Sequence, residues 1–135
     1  MYRKLASVVL VAAAINANSV SALGLGEMAM KSSLNQPLEA QVDLKNIGDL
    51  DETQILVGLA GQEEFDRAGV ERTFFLNSIK YEVVIDENGK SFIRLSSEKS
   101  VKEPFLDFLI EAKWPAGRVV KAYTALIDLP VYTEA

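Results

Sequence analysis

Ser96-Ser97-Glu98-Lys99 is the stretch of this sequence that most resembles a catalytic device. In Ser-x-x-Lys a lysine amine activates a serine hydroxyl, as in the penicillin-binding enzymes. Those enzymes also need Ser-Asp-Asn and Lys-Thr-Gly elements, and neither occurs here. The segment also ends an expected strand rather than opening a buried helix. The chain has 0 His and 0 Cys, which removes the usual general base near neutral pH and the commonest zinc ligands. Asp49, Asp51 and Glu52 cluster in an expected loop, but a calcium loop wants more oxygen ligands and a spaced Gly and Glu. They read as a solvated turn. Asp86-Glu87-Asn88-Gly89 reads as a hairpin turn, and Gly24-Leu25-Gly26 as a flexible N-terminal stretch. The latter lacks the third Gly and the Lys of a phosphate loop. Among 19 acidic residues no two stand out as a glycosidase pair. No catalytic, metal or cofactor site is expected, and the chain reads as a non-enzyme.

Aromatic residues are the remaining chemistry. Trp114, Tyr123 and Tyr132 are the types that stack on sugar rings, although Trp114 continues an apolar face and is expected to fill or edge the core. Glu111 and Arg118 read as an exposed cross-strand ion pair, worth at most about 1 kcal/mol. Trp114, Arg118 and Tyr132 form the candidate interaction surface.

Strands must position these groups. Leu38-Glu39-Ala40-Gln41-Val42-Asp43-Leu44 alternates without a fault, so Leu38, Ala40, Val42 and Leu44 share a buried face. Glu27 to Lys31 alternates likewise, and Asn35-Gln36-Pro37 turns the chain between the two. Ile55 to Ala60 is an apolar run expected as an inner strand. Gln62 to Ala68 is the expected helix: Glu63 and Glu64 suit its first turn, Arg67 its last, and Gly69 ends it. Phe65 and Ala68 share its expected packing face, and Thr73 to Leu76 is expected over a sheet edge. Asn88-Gly89 predicts a two-residue hairpin that pairs Ile85 with Phe92. Leu106, Phe108, Ile110, Ala112 and Trp114 fall on one face of a strand, with Asp107, Glu111 and Lys113 on the other. Arg118 to Asp128 is apolar on both faces and is expected to be central. About seven short strands separated by turns, plus one short helix, predict an all-β, immunoglobulin-like antiparallel sandwich. A closed barrel is the alternative.

Residues 1–22 read as a secretory signal peptide: Arg3 and Lys4, an apolar run from Leu5 to Ala17, then Val20-Ser21-Ala22 for cleavage. Thirteen apolar residues make a helix of roughly 20 Å, short of a bilayer core of about 30 Å. The mature domain is expected to be residues 23–135, in the periplasm, with no membrane span. Removing Arg3 and Lys4 from the 14 basic residues changes the net charge from −5 to −7, which disfavours nucleic acid and anionic lipid.

A set of motifs follows the cleavage point in order. They are Leu23-Gly24-Leu25-Gly26-Glu27, Ser32 to Ala40, Phe65 to Arg72, Glu103 to Glu111, and Trp114-Pro115-Ala116-Gly117-Arg118 leading to Tyr123 through Pro130. Together they resemble the periplasmic N-terminal domain of the FimV family, which includes the HubP and TspA proteins. The resemblance implies a non-enzymatic envelope protein linked to type IV pilus assembly, twitching motility and cell-pole organisation. It implies longer relatives with a LysM module, a transmembrane helix and a cytoplasmic repeat region. None of these follows within the 135 residues, so the expectation is a fragment or a free periplasmic domain. The expected partners are envelope proteins of pilus or secretin assembly, or a second copy of the domain. A peptidoglycan- or carbohydrate-binding module is the alternative.

Overall fold

The computed structural model describes residues 23–88 and 90–129. The leader, Gly89 and Tyr132 lie outside the described residues. Seven strands run in chain order: β1 Gly24–Met30, β2 Pro37–Lys45, β3 Leu56–Leu59, β4 Lys80–Ile85, β5 Ser91–Ser100, β6 Phe105–Trp114 and β7 Gly117–Leu126. One helix, α1 Gln62–Ala68, follows β3. Sheet one has the order β1-β2-β5-β4 and sheet two the order β3-β6-β7, with every pairing antiparallel. This division of seven strands is that of a constant-type immunoglobulin sandwich, and the barrel alternative falls away.

The alternating residues build the core as expected. Leu38, Ala40, Val42 and Leu44 of β2 are buried, as are Ile93 and Leu95 of β5. Leu106, Phe108, Ile110 and Ala112 of β6 face them from the other sheet, with Phe108 1% and Ile110 0% exposed. α1 has the expected bounds, and Gly69 ends it in the left-handed conformation at φ 71°, which favours a residue without a Cβ.

Several placements differ from expectation. β3 and β7 are edge strands, and β6 holds the centre of sheet two. A long run apolar on both faces suggested a central β7, but its outward apolar residues lie on a surface. Gly24-Leu25-Gly26 is not a loose end: it lies in β1, with Leu23 and Leu25 buried. Ala68 is exposed, and Phe65 alone of the expected helix pair is buried. The Thr73–Leu76 stretch opens a 3-10 turn, Phe74–Ser78, that buries Leu76 beside the interior strand β5. The β4–β5 hairpin pairs Ile85 with Ser91 and Val84 with Phe92, one residue from the expected register. Asp86 explains the slip. Its Oδ1 accepts from the amides of Asn88 and Lys90, both at 2.9 Å, and its own amide donates to the Lys90 carbonyl. The loop is therefore closed by a carboxylate over a longer span than a two-residue turn.

Side chains seal the flank where β1 meets β7. The buried Tyr123 hydroxyl donates to the Gly26 carbonyl at 2.6 Å, and Lys121 Nζ reaches the carbonyls of Leu25 and Gly26. Gly26 sits at the bulge between Leu25 and Met28, where a Cβ would meet Asp43 Cβ and Lys45 Cε at 3.0 Å. Tyr81 contrasts with Tyr123: its buried hydroxyl has no partner among the described residues.

These two tyrosines give opposite expectations. Tyr123→Phe removes a made hydrogen bond and should cost about 1 kcal/mol, or roughly 4–8 °C of melting temperature in a domain of this size. Tyr81→Phe removes a hydroxyl that gains nothing from burial and should melt at or above the parent. Equal losses in both variants would contradict this reading. Burial, with the Asp43 charge adding to it, pushes the Tyr123 hydroxyl up from 10.0 to about 12. Its neutral form therefore supports the fold below pH 10, and that support is lost as pH rises from 10 through 12. Melting curves across this range should show the loss, with Tyr123→Phe less affected.

Candidate functional site

The two ends of β6 define two poles. At the hairpin pole Trp114 is half-buried and packs against the core. Its ring lies over Gly117, with Cζ2 3.4 Å from where a Cβ would stand. One ring face is thus taken by the turn that follows it. Leu56, exposed at 66%, shares with Trp114 and Pro115 a shallow groove of about 310 Å³.

Arg118 reaches two carboxylates. It bonds Glu111, a diagonal neighbour on β6, and Glu64 of α1 at 3.1 Å. Arg67 holds the other oxygen of Glu64 at 3.1 Å, and Lys113 lies 3.8 Å from Glu111. With Glu63 4.0 Å from Arg67, the expected cross-strand pair is the middle of a six-residue network. Glu64 and Glu111 are only 19% and 15% exposed, so the network is more sheltered than a lone surface pair. The Arg118 guanidinium, with help from Arg67, holds the Glu64 carboxyl below its ordinary range. The two carboxylates in turn raise Arg118. The network pins α1 across the outer face of sheet two. There Leu109, which alternation points outward, is 4% exposed.

The other sequence candidates resolve into structural parts. Ser97 lies inside β5, which runs five residues past the expected end at Leu95. Its hydroxyl accepts from the Leu38 amide at 2.8 Å and donates to the Lys99 carbonyl at 2.7 Å. It satisfies the backbone at the β2 bulge between Pro37 and Glu39. Asp51 caps the 3-10 turn Glu52–Gln54, and the Thr53 hydroxyl and amide hold its carboxyl below the ordinary value. Tyr123, 8% exposed, offers no stacking face. The structure brings Trp114 and Arg118 to one pole, but on different faces of the sheet.

The opposite pole was not singled out from sequence. Phe105 pairs with Leu126 on the outer face of sheet two, and they are 51% and 72% exposed. Phe74 is 78% exposed. A groove of about 390 Å³ runs from Val70, Glu71 and Thr73 to Glu103, Phe105 and Asp107. It adjoins a second, of about 270 Å³, that includes Phe74 and Phe75. One signal was present: if Leu106 and Phe108 face inward, Phe105 must face out, and a phenylalanine on a wet face calls for a reason.

Arg118→Ala should loosen α1 without unfolding the sandwich, read as faster amide exchange in Gln62–Ala68 by mass spectrometry. A carboxylate held below its ordinary 4.5 stabilises above that pH and loses the effect as pH falls through its folded value. The parent's α1 should therefore lose protection as pH falls below the ordinary carboxylate value of 4.5, and Arg118→Ala should show a flatter response. Unchanged exchange in the variant would sink the network's role.

The comparisons agree with this fold. The family model described as FimV N-terminal domain Ig-like domain matches residues 23–130. The motility hub protein FimV of Pseudomonas aeruginosa, in each of two strains, is 42% identical over 131 residues, which is 97% of this chain. The chain spans about 14% of the length of these curated relatives. No solved structure matches. With the N-terminal model covering the whole described sandwich, the chain belongs to the FimV family.

Proposed function

We propose that residues 23–135, freed from a signal peptide at 1–22, act in the periplasm as a non-enzymatic adaptor domain. It serves type IV pilus assembly, twitching motility and cell-pole organisation through protein–protein contacts. The relatives' name, motility hub protein, supports the setting. The observation that carries the mode of action is the exposed apolar set Phe74, Phe105 and Leu126 at one pole. Large exposed side chains grouped in this way mark interaction surfaces. Strand addition at β1 has less support, because Lys121 and Tyr123 already occupy the carbonyls of Leu25 and Gly26. Among the described residues no helix is long and apolar enough to cross a membrane. Envelope proteins of pilus or secretin assembly, or a second copy, remain the proposed partners.

The peptidoglycan reading keeps one observation, the groove beside Trp114 and Leu56. A sugar platform needs an open aromatic face, and one face of Trp114 rests on Gly117. Co-sedimentation with purified sacculi separates the readings. The chain should stay in the supernatant, while a photo-crosslinker at Phe105 in cells should join it to protein and one at Trp114 should not. Pelleting that is lost in Trp114→Ala would overturn the adaptor reading in favour of wall binding.

A further inference from the structure

The Phe105 groove combines an apolar floor with a one-signed rim. Leu106, 7% exposed, lies at its base, and Val70 and Phe105 form apolar walls. Glu71, Glu103 and Asp107 supply the charge, and no Lys or Arg lines this section. Among the described residues none of the three carboxylates takes part in a salt bridge. Asp107 accepts a hydrogen bond from the Thr124 hydroxyl at 2.6 Å, which fixes it without neutralising it. Three basic groups lie nearby: Arg72, between Glu71 and Thr73, sits 5.8 Å from the Phe65 ring centroid, while Lys102 lines the adjoining section and Lys99 lies 5.3 Å from the Phe74 ring centroid.

We propose that the Phe105 groove docks a peptide segment of a partner protein that carries lysine or arginine beside apolar side chains. This rests on the adaptor reading and adds the partner's chemistry to it. The apolar side chains would cover Leu106 and Phe105, supplying most of the affinity through area removed from water. The cations would meet Glu71, Glu103 and Asp107 at the rim, where charge sets selectivity and association rate. A second copy is a poor match, because the mature chain carries −7 and like charges would face each other.

The test uses the chain expressed from Met1 and purified, with fluorescence anisotropy as the readout. The probes are a fluorescein-labelled hexapeptide of alternating leucine and lysine and its leucine–glutamate counterpart. The lysine peptide should bind saturably, at least about tenfold tighter than the glutamate peptide, and weaken with added salt. Phe105→Ser and Glu103→Lys should each weaken it by about fivefold or more, with both variants still melting cooperatively because neither side chain is buried in the core. Equal binding of the two peptides, or binding that both variants leave intact, would overturn the groove while leaving the adaptor reading in place. Self-association that Phe105→Ser abolishes would assign the groove to a second copy and overturn the proposal. Binding of neither peptide, with crosslinks only to sacculi, would overturn both readings.

Discussion

The face-to-face packing of β6 on β2 and β5 is the constraint on which the rest of this structure depends. Phe108, Ile110 and Ala112 meet Val42, Ile93 and Leu95, all at most 1% exposed. Fully burying a side chain of this kind is worth about 1.5–3 kcal/mol. With 0 Cys the sandwich has no disulfide between its sheets, so non-covalent packing, this contact foremost, must fix their spacing. A cavity at Phe108 would thus reach both poles, because both are built on the ends of the same strand.

Once the sheets are fixed, polar groups finish the rims. Tyr123 and Lys121 close the flank between β1 and β7, and Ser97 bridges the bulge in β2. The Arg118 network holds α1 over Leu109 on the outer face of sheet two. Each device joins residues far apart in the chain and satisfies backbone or charge that packing would otherwise strand. Such groups look like chemistry in a sequence: Ser97 resembles a nucleophile and Asp51 a metal ligand. In the fold their hydrogen bonds are already committed to neighbours.

Period-two alternation made β2 and the inner face of β6 legible, and Gly69 marked the end of α1, because these signals are local. Strand order was not local. β7 looked central because a strand apolar on both faces suits either a buried position or an edge with an outward patch. The hairpin register was missed because Asn88-Gly89 outweighed Asp86, whose carboxylate sets the longer loop. Trp114, expected to fill the core or cover its edge, lies half-buried against it. The Phe105 groove escaped for a geometric reason: its walls come from the segment after α1, the segment before β6 and β6 itself. Only the closed sandwich brings them together.

The two poles differ in what they still have to offer. At the hairpin pole the ring of Trp114 is laid on Gly117, and Arg118 already faces Glu64 and Glu111. A partner there would have to displace contacts that hold α1, and its binding would be opposed by the free energy of breaking them. At the Phe105 pole Phe74, Phe105 and Leu126 are exposed to water, and among the described residues the rim carboxylates form no salt bridge. Docking there removes apolar surface from water and breaks nothing inside the domain. The contacts that close one end of the sandwich are thus the physical reason the proposed docking is placed at the other.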